Sequence, residues 1–375
     1  MTAEQRRVLH LFGDQTFGVQ PQLGNLIGLA ADNPALKQFL HSAHRTIQTE
    51  ARSVQETWLR DSYASLFTLD QLLGWDPLSQ RTGTGSIALE MSLTCLIQIA
   101  AFILDQPEGE YVLVSNQRCV LGLCTGALTA AAIGCSDTKR KIVQLGTESV
   151  RAAFRAGIVV SRITRVVMGP TVDEEQKCAM AILGSGVEEV VSSFCQKRED
   201  LSAAEKPCVA VRHPLGITVM APPATLAEIR AAGLLDAFEL RDLPIYGLYH
   251  AAHLYSKTDV QSIFSDLSPE LASLPSYMSV ASGAGGIRGG VFQELLEAAL
   301  EQIMRQPLHW GALFETLTQW SQEHMSGDST TQLPVIVIEY GSRAGAVISK
   351  HLGPRCSVVD KDCSARSCQA TGYGS

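Results

Sequence analysis

A single cysteine lies between two glycines in the segment VLGLCTGALTAAAIGCS, residues 120–136. Cys124 has Gly122 and Gly126 two positions away, an apolar run before it and an alanine-rich run after it. The pattern G-x-C-x-G between a strand and a helix is typical of a nucleophile elbow, a strained turn that needs small flanking residues. It would place the thiol at a helix N-terminus, which favours thiolate, and aim the Thr125 backbone N–H at a developing oxyanion. The alternative is a buried core cysteine.

Two histidines, His250 and His253, follow the apolar segment LPIYGL. A cysteine nucleophile needs a base, and His250 lies where an inserted module returns to the main domain, beside a predicted cleft. A packed structural histidine is one alternative, and a metal site shared by both histidines is another. No third ligand is evident, and the cysteines between residues 95 and 208 contain no C-x-x-C pair, so we expect no bound metal.

A glycine turn, FGDQT over residues 12–16, follows the first predicted strand. Such a turn can present a second backbone N–H toward a cleft, although an ordinary βα turn explains the local sequence equally well. Elsewhere the chain alternates strands and helices, which predicts an α/β domain. Residue patterns predict strands over 7–12, 120–123 and 333–339, and helices over 33–60, 86–105, 125–134, 149–160, 258–265 and 290–305.

Residues 169–244 follow a different order of elements, β-α-β-β-α-β, which is that of a ferredoxin-like module. We therefore predict an α/β fold: a large α/β-hydrolase-like domain formed by residues 1–168 and 245–355, with a small ferredoxin-like subdomain inserted at 169–244. The polar residues 356–375 are predicted to be a linker or tail.

The composition limits the classes of function. The chain has 375 residues, a net charge of −8 and no Lys/Arg run, so a nucleic-acid partner is not expected. The N-terminal residues contain no secretory signal, and the longest apolar run, Leu93–Leu104, is shorter than the ~20 residues of a membrane span. We expect a soluble cytoplasmic protein without a membrane partner, whose ten cysteines are mostly free thiols.

Five segments together resemble one family. They are LHLFGDQT near the N-terminus, LGLCTGALTAAAIG at the elbow, AAFRAG at 152–157, YHAAHL at 249–254 and RQPLHW at 305–310. Over about residues 8–350 the chain resembles the starter-unit:acyl-carrier-protein transacylase (SAT) domains of fungal non-reducing polyketide synthases, which are malonyl-CoA:ACP acyltransferase-like. The match is specific because malonyl-transferring relatives carry serine where this chain has Cys124.

The resemblance implies roles for individual residues. Cys124 would be the acyl-accepting nucleophile and His250 the general base and acid. The backbone N–H groups of Gln15 and Thr125 would form the oxyanion hole. A backbone carbonyl near Ile303, before the P-x-x-W segment, would orient the histidine.

Malonyl-specific relatives use an arginine in the helix after the elbow helix to hold the substrate carboxylate. Arg155 is the nearest candidate and Arg151 the second. Starter acyl groups usually lack a carboxylate, so the role of Arg155 is either substrate contact or structure. Ala252 stands where many relatives have proline, a difference that should not affect the chemistry.

The resemblance implies ping-pong acyl transfer without a bound cofactor. An acyl group from acyl-CoA or an acyl carrier protein would form a thioester on Cys124 and pass to the phosphopantetheine thiol of the synthase's own carrier domain. The acyl donor would be CoA, a partner reducing synthase or a fatty acid synthase. A stand-alone cysteine thioesterase or peptidase would use the same Cys–His pair, with water as acceptor. A docking scaffold would lack the nucleophile.

Overall fold

The computed structural model describes residues 6–14, 20–63, 68–74, 83–112, 114–115, 117–169, 176–322 and 333–361. The strands are β1 (Arg7–Phe12), β2 (Arg118–Gly122), β3 (Ala179–Leu183), β4 (Cys208–His213), β5 (Gly216–Met220), β6 (Glu239–Leu243), β7 (Ser279–Ser282), β8 (Ile287–Arg288), β9 (Leu308–His309), β10 (Val335–Tyr340) and β11 (Cys356–Asp360). The helices are α1 (Gln20–Ala30), α2 (Pro34–Ser53), α3 (Thr57–Ser62), α4 (Leu69–Leu73), α5 (Ile87–Asp105), α6 (Gly126–Gly134), α7 (Lys139–Met168), α8 (Val187–Lys197), α9 (Pro223–Ala231), α10 (Lys257–Ile263), α11 (Pro269–Ala272), α12 (Phe292–Met304), α13 (Trp310–Gln322) and α14 (Gly345–Leu352).

The larger sheet has the strand order β11-β10-β1-β2-β7-β8. All neighbouring pairs are parallel except β7 with β8. In register, Phe12 of β1 lies opposite Gly122 of β2 and Tyr340 of β10. The three central strands therefore end at one edge of the sheet, which is where open α/β sheets bind ligands.

Helices cover both faces of this sheet, because side chains along a buried strand alternate between faces. Leu9 and Leu11 of β1 pack with α13 and α14, in a cluster that includes Leu317 and Ile348. Phe12 packs on the opposite face, in the larger cluster that contains α2, α5, α6, α7 and α12. The result is a three-layer α/β arrangement.

Helix α5 lies at the centre of the larger cluster, where Ile87 through Ile103 are all buried. Among the described residues, α5 alone has the length and composition of a membrane span, and 94% of its apolar window is buried inside the fold. It packs against α2 and α7. Burial on every side explains its predominantly apolar sequence.

The smaller sheet has the order β6-β3-β5-β4-β9. Its four strands from 179–243 are antiparallel to one another, and β9 adds in parallel to β4. One face packs on α8 and α9 through residues such as Met180, Val191, Val219 and Ile229. The elements of this region match the predicted β-α-β-β-α-β order. The fifth strand, Leu308–His309, was not predicted.

Several predicted elements differ from the structure. The predicted 33–60 helix ends at Ser53 and resumes at Thr57, and the predicted 149–160 helix is part of the longer α7. The tail predicted to begin at residue 356 is wrong for its first five residues. Residues Cys356–Asp360 pair in parallel with β10 as the sheet's edge strand. The strand is short and largely exposed, as edge strands commonly are.

Candidate active site

The turn between β2 and α6 has the geometry of an elbow. Cys124 adopts the left-handed conformation with φ 50°, which is uncommon outside glycine and is a source of backbone strain. A Cβ on Gly122 would lie 2.2 Å from the Gly126 carbonyl oxygen, and one on Gly126 would lie 2.4 Å from the Phe12 carbonyl oxygen. Both glycines therefore permit close backbone contacts between strand and helix. The turn therefore constrains the backbone from which the Cys124 side chain projects.

Cys124 is buried, with 6% of its surface exposed. Burial and the nearby Asp14 carboxylate raise its pKa to about 12, against opposing hydrogen bonds from Thr125. The expectation that the helix N-terminus favours thiolate is therefore not met in the free protein. Loss of hydration outweighs the local hydrogen bonds, because burial penalises the charged form. Cys124 is a neutral thiol at neutral pH.

His250 is held by two backbone carbonyls. Its Nδ1 lies 2.8 Å from the oxygens of both Gln302 and Gln306, at the end of α12 and just beyond it. Because a carbonyl can only accept, Nδ1 carries the proton and Nε2 has the free lone pair. The residue has φ 55°, and burial lowers the pKa of its imidazole. A neutral imidazole with an unprotonated Nε2 can accept a proton from a neutral thiol.

The predicted orienting carbonyl, that of Ile303, has a different partner. It accepts a hydrogen bond from the backbone N–H of His250, at 2.9 Å. The His250 ring is instead oriented by the backbone carbonyls of Gln302 and Gln306. Because the last carbonyls of a helix have no intrahelical partner, the end of α12 can supply both the ring and the main-chain contacts.

Cys124 and His250 line one cavity of about 300 Å³. On one side are the carboxyl ends of β1 and β2, with Asp14 and Leu123. On the other side is the smaller sheet. It contributes Ala181, Leu183, Val211, Thr218 and Met220, which are all uncharged. The cavity thus lies between the two sheets, where a small-molecule site is expected.

Asp14 was not predicted as a functional residue. It lines the cavity and its negative charge opposes thiolate at Cys124 while favouring protonation of His250. The sequence does place Asp14 directly after the first predicted strand, in the same turn as Gly13, and this position could have indicated a residue facing the site. Gln15, the other predicted oxyanion donor in that turn, lies outside the described residues. Thr125 is fully buried at the start of α6, next to Cys124.

Gln98 is a second residue that sequence reasoning missed. It is buried on α5, and its side-chain amide donates to the Gly13 carbonyl oxygen at 2.7 Å. Its own oxygen accepts from the Thr129 hydroxyl on α6 at 2.9 Å. One side chain therefore joins the turn after β1 to the helix that follows Cys124. In the sequence, Gln98 is a polar residue within the apolar run Leu93–Leu104.

Arg155 and His253 are not among the residues lining this cavity. Arg155 forms ion pairs with Glu50 and Asp266, in contact with α2 and the loop after α10. Its guanidinium is thus engaged in joining helices, which favours the structural role over carboxylate binding. His253 is exposed. Among the described residues, no group of three or more His, Cys, Asp or Glu side chains is arranged to hold a metal ion.

Comparison with known sequences identifies relatives. The family described as "Starter unit:ACP transacylase in aflatoxin biosynthesis" (SAT) matches residues 10–250. The non-reducing polyketide synthase fsr1 of Gibberella fujikuroi is 32% identical over 309 residues, which are 82% of this chain and 13% of that synthase. The non-reducing polyketide synthase pks27 of Aspergillus flavus is 29% identical over 366 residues, 96% of this chain and 18% of that synthase. The chain thus spans less than a fifth of each relative.

Solved structures agree on the fold. The MCAT of Mycobacterium tuberculosis is similar with a TM-score of 0.61 at 14% identity, covering 95% of this chain and 98% of that one. The match over residues 10–250 includes the elbow, four of the five strands of the smaller sheet and His250. The chain therefore belongs to the starter unit:ACP transacylase family and is an acyltransferase with the fold of the malonyl-CoA:ACP transacylases.

Proposed function

We propose that this chain loads a starter acyl group through a thioester on Cys124 and transfers it to a phosphopantetheine thiol of an acyl carrier protein. The observation that carries the proposal is a cavity lined by both a strained, buried cysteine and a histidine. Two backbone carbonyls accept from Nδ1 of that histidine, which leaves its Nε2 unprotonated. The family membership supports acyl transfer between thioesters. The carrier would be a domain of the same synthase, and the chemistry needs no bound cofactor.

The mechanism begins from a neutral Cys124 thiol and a neutral His250 imidazole. As the thiol attacks the thioester carbonyl, His250 Nε2 takes its proton, and the imidazolium formed is stabilised by the carbonyls of Gln302 and Gln306. The backbone N–H of Thr125 is the proposed oxyanion donor, together with that of Gln15. One such donor typically contributes about 3–4 kcal/mol to the transition state. His250 then returns the proton to the leaving thiolate, and the same steps in reverse unload Cys124.

The cavity walls support an uncharged, aliphatic acyl group as substrate. No lysine or arginine is among the described residues lining the catalytic cavity, and Asp14 contributes a negative charge. A malonyl carboxylate would enter without a cation to pair with it, which is costly in an apolar site. We propose that the acyl donor is either acyl-CoA or an acylated carrier protein of a reducing synthase or a fatty acid synthase. Cytoplasmic supply of these thioesters fits this role.

Intact-mass measurement tests the proposal. The protein is incubated with straight-chain acyl-CoAs of increasing length and with malonyl-CoA, and then with a phosphopantetheinylated carrier domain. We expect one acyl group on the wild type, transfer to the carrier and little malonyl loading, while Cys124→Ala does neither. His250→Ala should slow acylation at least about 100-fold, whereas His253→Ala, a matched exposed histidine, should stay near wild type.

Three results would contradict the proposal. Equal acylation of Cys124→Ala would show another nucleophile. A larger loss in His253→Ala than in His250→Ala would reassign the base. Release of free acid at the same rate with and without the carrier would identify a thioesterase.

A further inference from the structure

A buried glutamine interrupts the apolar face of α12. Leu295, Ala299 and Gln302 are four and three residues apart, so they lie on one face of the helix, and all three are buried. Only 2% of Gln302 is exposed. Glutamine is mostly exposed in folded proteins, because a buried amide must find hydrogen-bond partners inside the fold. The partners of this side chain therefore indicate its role.

The side-chain oxygen of Gln302 accepts two hydrogen bonds from the end of β7. The Gly283 backbone N–H and the Ser282 hydroxyl each donate to Oε1 at 3.2 Å. Because the Gly283 N–H can only donate, the oxygen of the amide must face it. A Cβ on Gly283 would lie 2.6 Å from Gln302 Nε2, so any larger residue there would have to displace the amide. Nε2 has no hydrogen-bond partner among the described residues, so the connection to β7 depends on the oxygen alone.

The end of β7 lies beside the strand that leads to the nucleophile. In the parallel register of these strands, Ser282 is opposite Gly122, the elbow glycine two residues before Cys124. Paired strands keep a fixed spacing of about 4.8 Å. Ser282 and Gly283 therefore have a fixed position relative to the elbow, and a group bonded to both of them is fixed relative to Cys124.

The end of α12 holds the proposed base. The backbone carbonyl of Gln302 accepts from His250 Nδ1 at 2.8 Å, as does that of Gln306. The chain beyond the helix returns to β7, because the His309 N–H donates to the Gly283 carbonyl oxygen at 2.9 Å. Both carbonyls that hold the ring thus lie within a segment attached to Gly283 at its two ends. One attachment is the Gln302 side chain and the other is the His309 backbone.

We propose that Gln302 is a positioning residue, whose side chain sets the place of the His250 ring relative to Cys124 by joining the end of α12 to the end of β7. The assignment rests on the proposed roles of Cys124 and His250 in acyl transfer. Without the side-chain oxygen, the last turn of α12 loses its bonds to the sheet, and the ring moves with the carbonyl that holds it. A shift of about 1 Å in a catalytic group can cost about 10²-fold in rate.

The test compares Gln302→Met and Gln302→Glu in the acylation of Cys124 by the best acyl-CoA of the chain-length panel, followed by intact mass. Methionine keeps the length of the side chain without its oxygen, whereas glutamate keeps an acceptor oxygen. Gln302→Met should lower the maximal rate roughly 10- to 100-fold and change the half-saturating concentration by less than about twofold. Gln302→Glu should recover part of the lost rate.

The pH profile gives a readout that a merely structural role would not change. Burial lowers the pKa of His250, and its bonds to the carbonyls of Gln306 and Gln302 oppose that shift. When the Gln302 carbonyl moves away, the pKa of His250 should fall further. The pH below which acylation slows should therefore be lower in Gln302→Met than in the wild type.

Thr316→Val is the matched control. It removes a buried hydroxyl that accepts from the Gly286 N–H at 2.6 Å, and so loosens the same loop after β7 from the side of α13, which supplies neither carbonyl. It should lower the melting temperature while the acylation rate stays near wild type. Ser282→Ala removes one of the two donors to Gln302 Oε1. This milder variant should slow acylation by roughly two- to tenfold, the range for one hydrogen bond.

Two results would overturn the assignment. One is equal slowing by Gln302→Met and Thr316→Val, which would reveal a general loss of stability. The other is an unchanged rate in Gln302→Met, or in Ser282→Ala where Gln302→Met does not fold. Failure of the wild type to acylate Cys124, or full activity of His250→Ala, would instead refute the proposed function, and this assignment with it.

Discussion

The protonation state of Cys124 gives the sharpest test of the site's chemistry. With its pKa raised to about 12, only about one molecule in 10⁴ carries a thiolate at pH 8. A solvent thiol with a pKa of ~8.5 is about one quarter ionised at that pH, roughly 2,000 times more. The higher basicity of the Cys124 thiolate offsets about 40-fold of this difference, from a Brønsted coefficient near 0.45. Cys124 should therefore react with iodoacetamide about 50-fold more slowly than glutathione, before any steric protection.

The rate of Cys124 alkylation and the rate of its acylation should therefore depend on pH in different ways. Alkylation of Cys124, measured by mass spectrometry of its peptide, should rise about tenfold per pH unit from pH 7 to 10 without a plateau. Acylation by an acyl-CoA should already be constant at neutral pH, because it needs only neutral His250. Burial holds the pKa of His250 below 6.5, so the acylation rate should fall only as the pH drops through that lower value.

An alkylation profile that levels off below pH 8 would refute this reasoning, because it would reveal a thiolate–imidazolium pair in the free protein. His250→Ala is the matched control. If Cys124 and His250 are both neutral in the free protein, His250→Ala should leave alkylation unchanged and slow acylation. If they form a thiolate–imidazolium pair, His250→Ala should slow both reactions.

Two further predictions concern residues outside the Cys–His pair. Gln98→Leu leaves the Gly13 carbonyl and the Thr129 hydroxyl without their partner, so it should lower the free energy of unfolding by about 1–3 kcal/mol. It should also lower kcat more than it raises KM, whereas Gln106→Leu, at the end of the same helix, should leave kcat unchanged; equal effects would deny Gln98 a positioning role. Arg155→Met should lower the melting temperature without changing the preference for aliphatic over malonyl groups; a changed preference in acylation assays would restore Arg155 to substrate binding.

The elbow was predictable because its constraints are local. The turn at Cys124 needs a glycine two positions away on each side, so that strand and helix can approach closely. Both glycines lie within the five consecutive residues 122–126, so the pattern is visible in the sequence. Four of the five strands of the smaller sheet and the two helices that pack on it were likewise predicted from short-range patterns. Each depends on turns and periodicity within a few residues.

The electrostatics of the site were not predictable in the same way. The pKa of Cys124 depends on burial by distant segments and on Asp14, which is more than a hundred residues away in the chain. The two carbonyls that hold His250 come from the end of α12, so their exact identity depends on how that helix packs. The edge strand β11 is short and largely exposed, and only its pairing with β10 reveals it. Long-range packing decided each of these features.

The strand β9 links the two halves of the catalytic cavity. Leu308–His309 pairs with β4 of the smaller sheet, only two residues after Gln306, whose carbonyl holds the His250 ring. One short stretch of backbone therefore contains both a strand of the smaller sheet and a carbonyl that holds the His250 ring. An engineered hybrid that exchanges residues 176–243 alone would disturb the β4–β9 pairing and, through it, the carbonyl that holds His250. Residues 302–310 must be exchanged together with that segment.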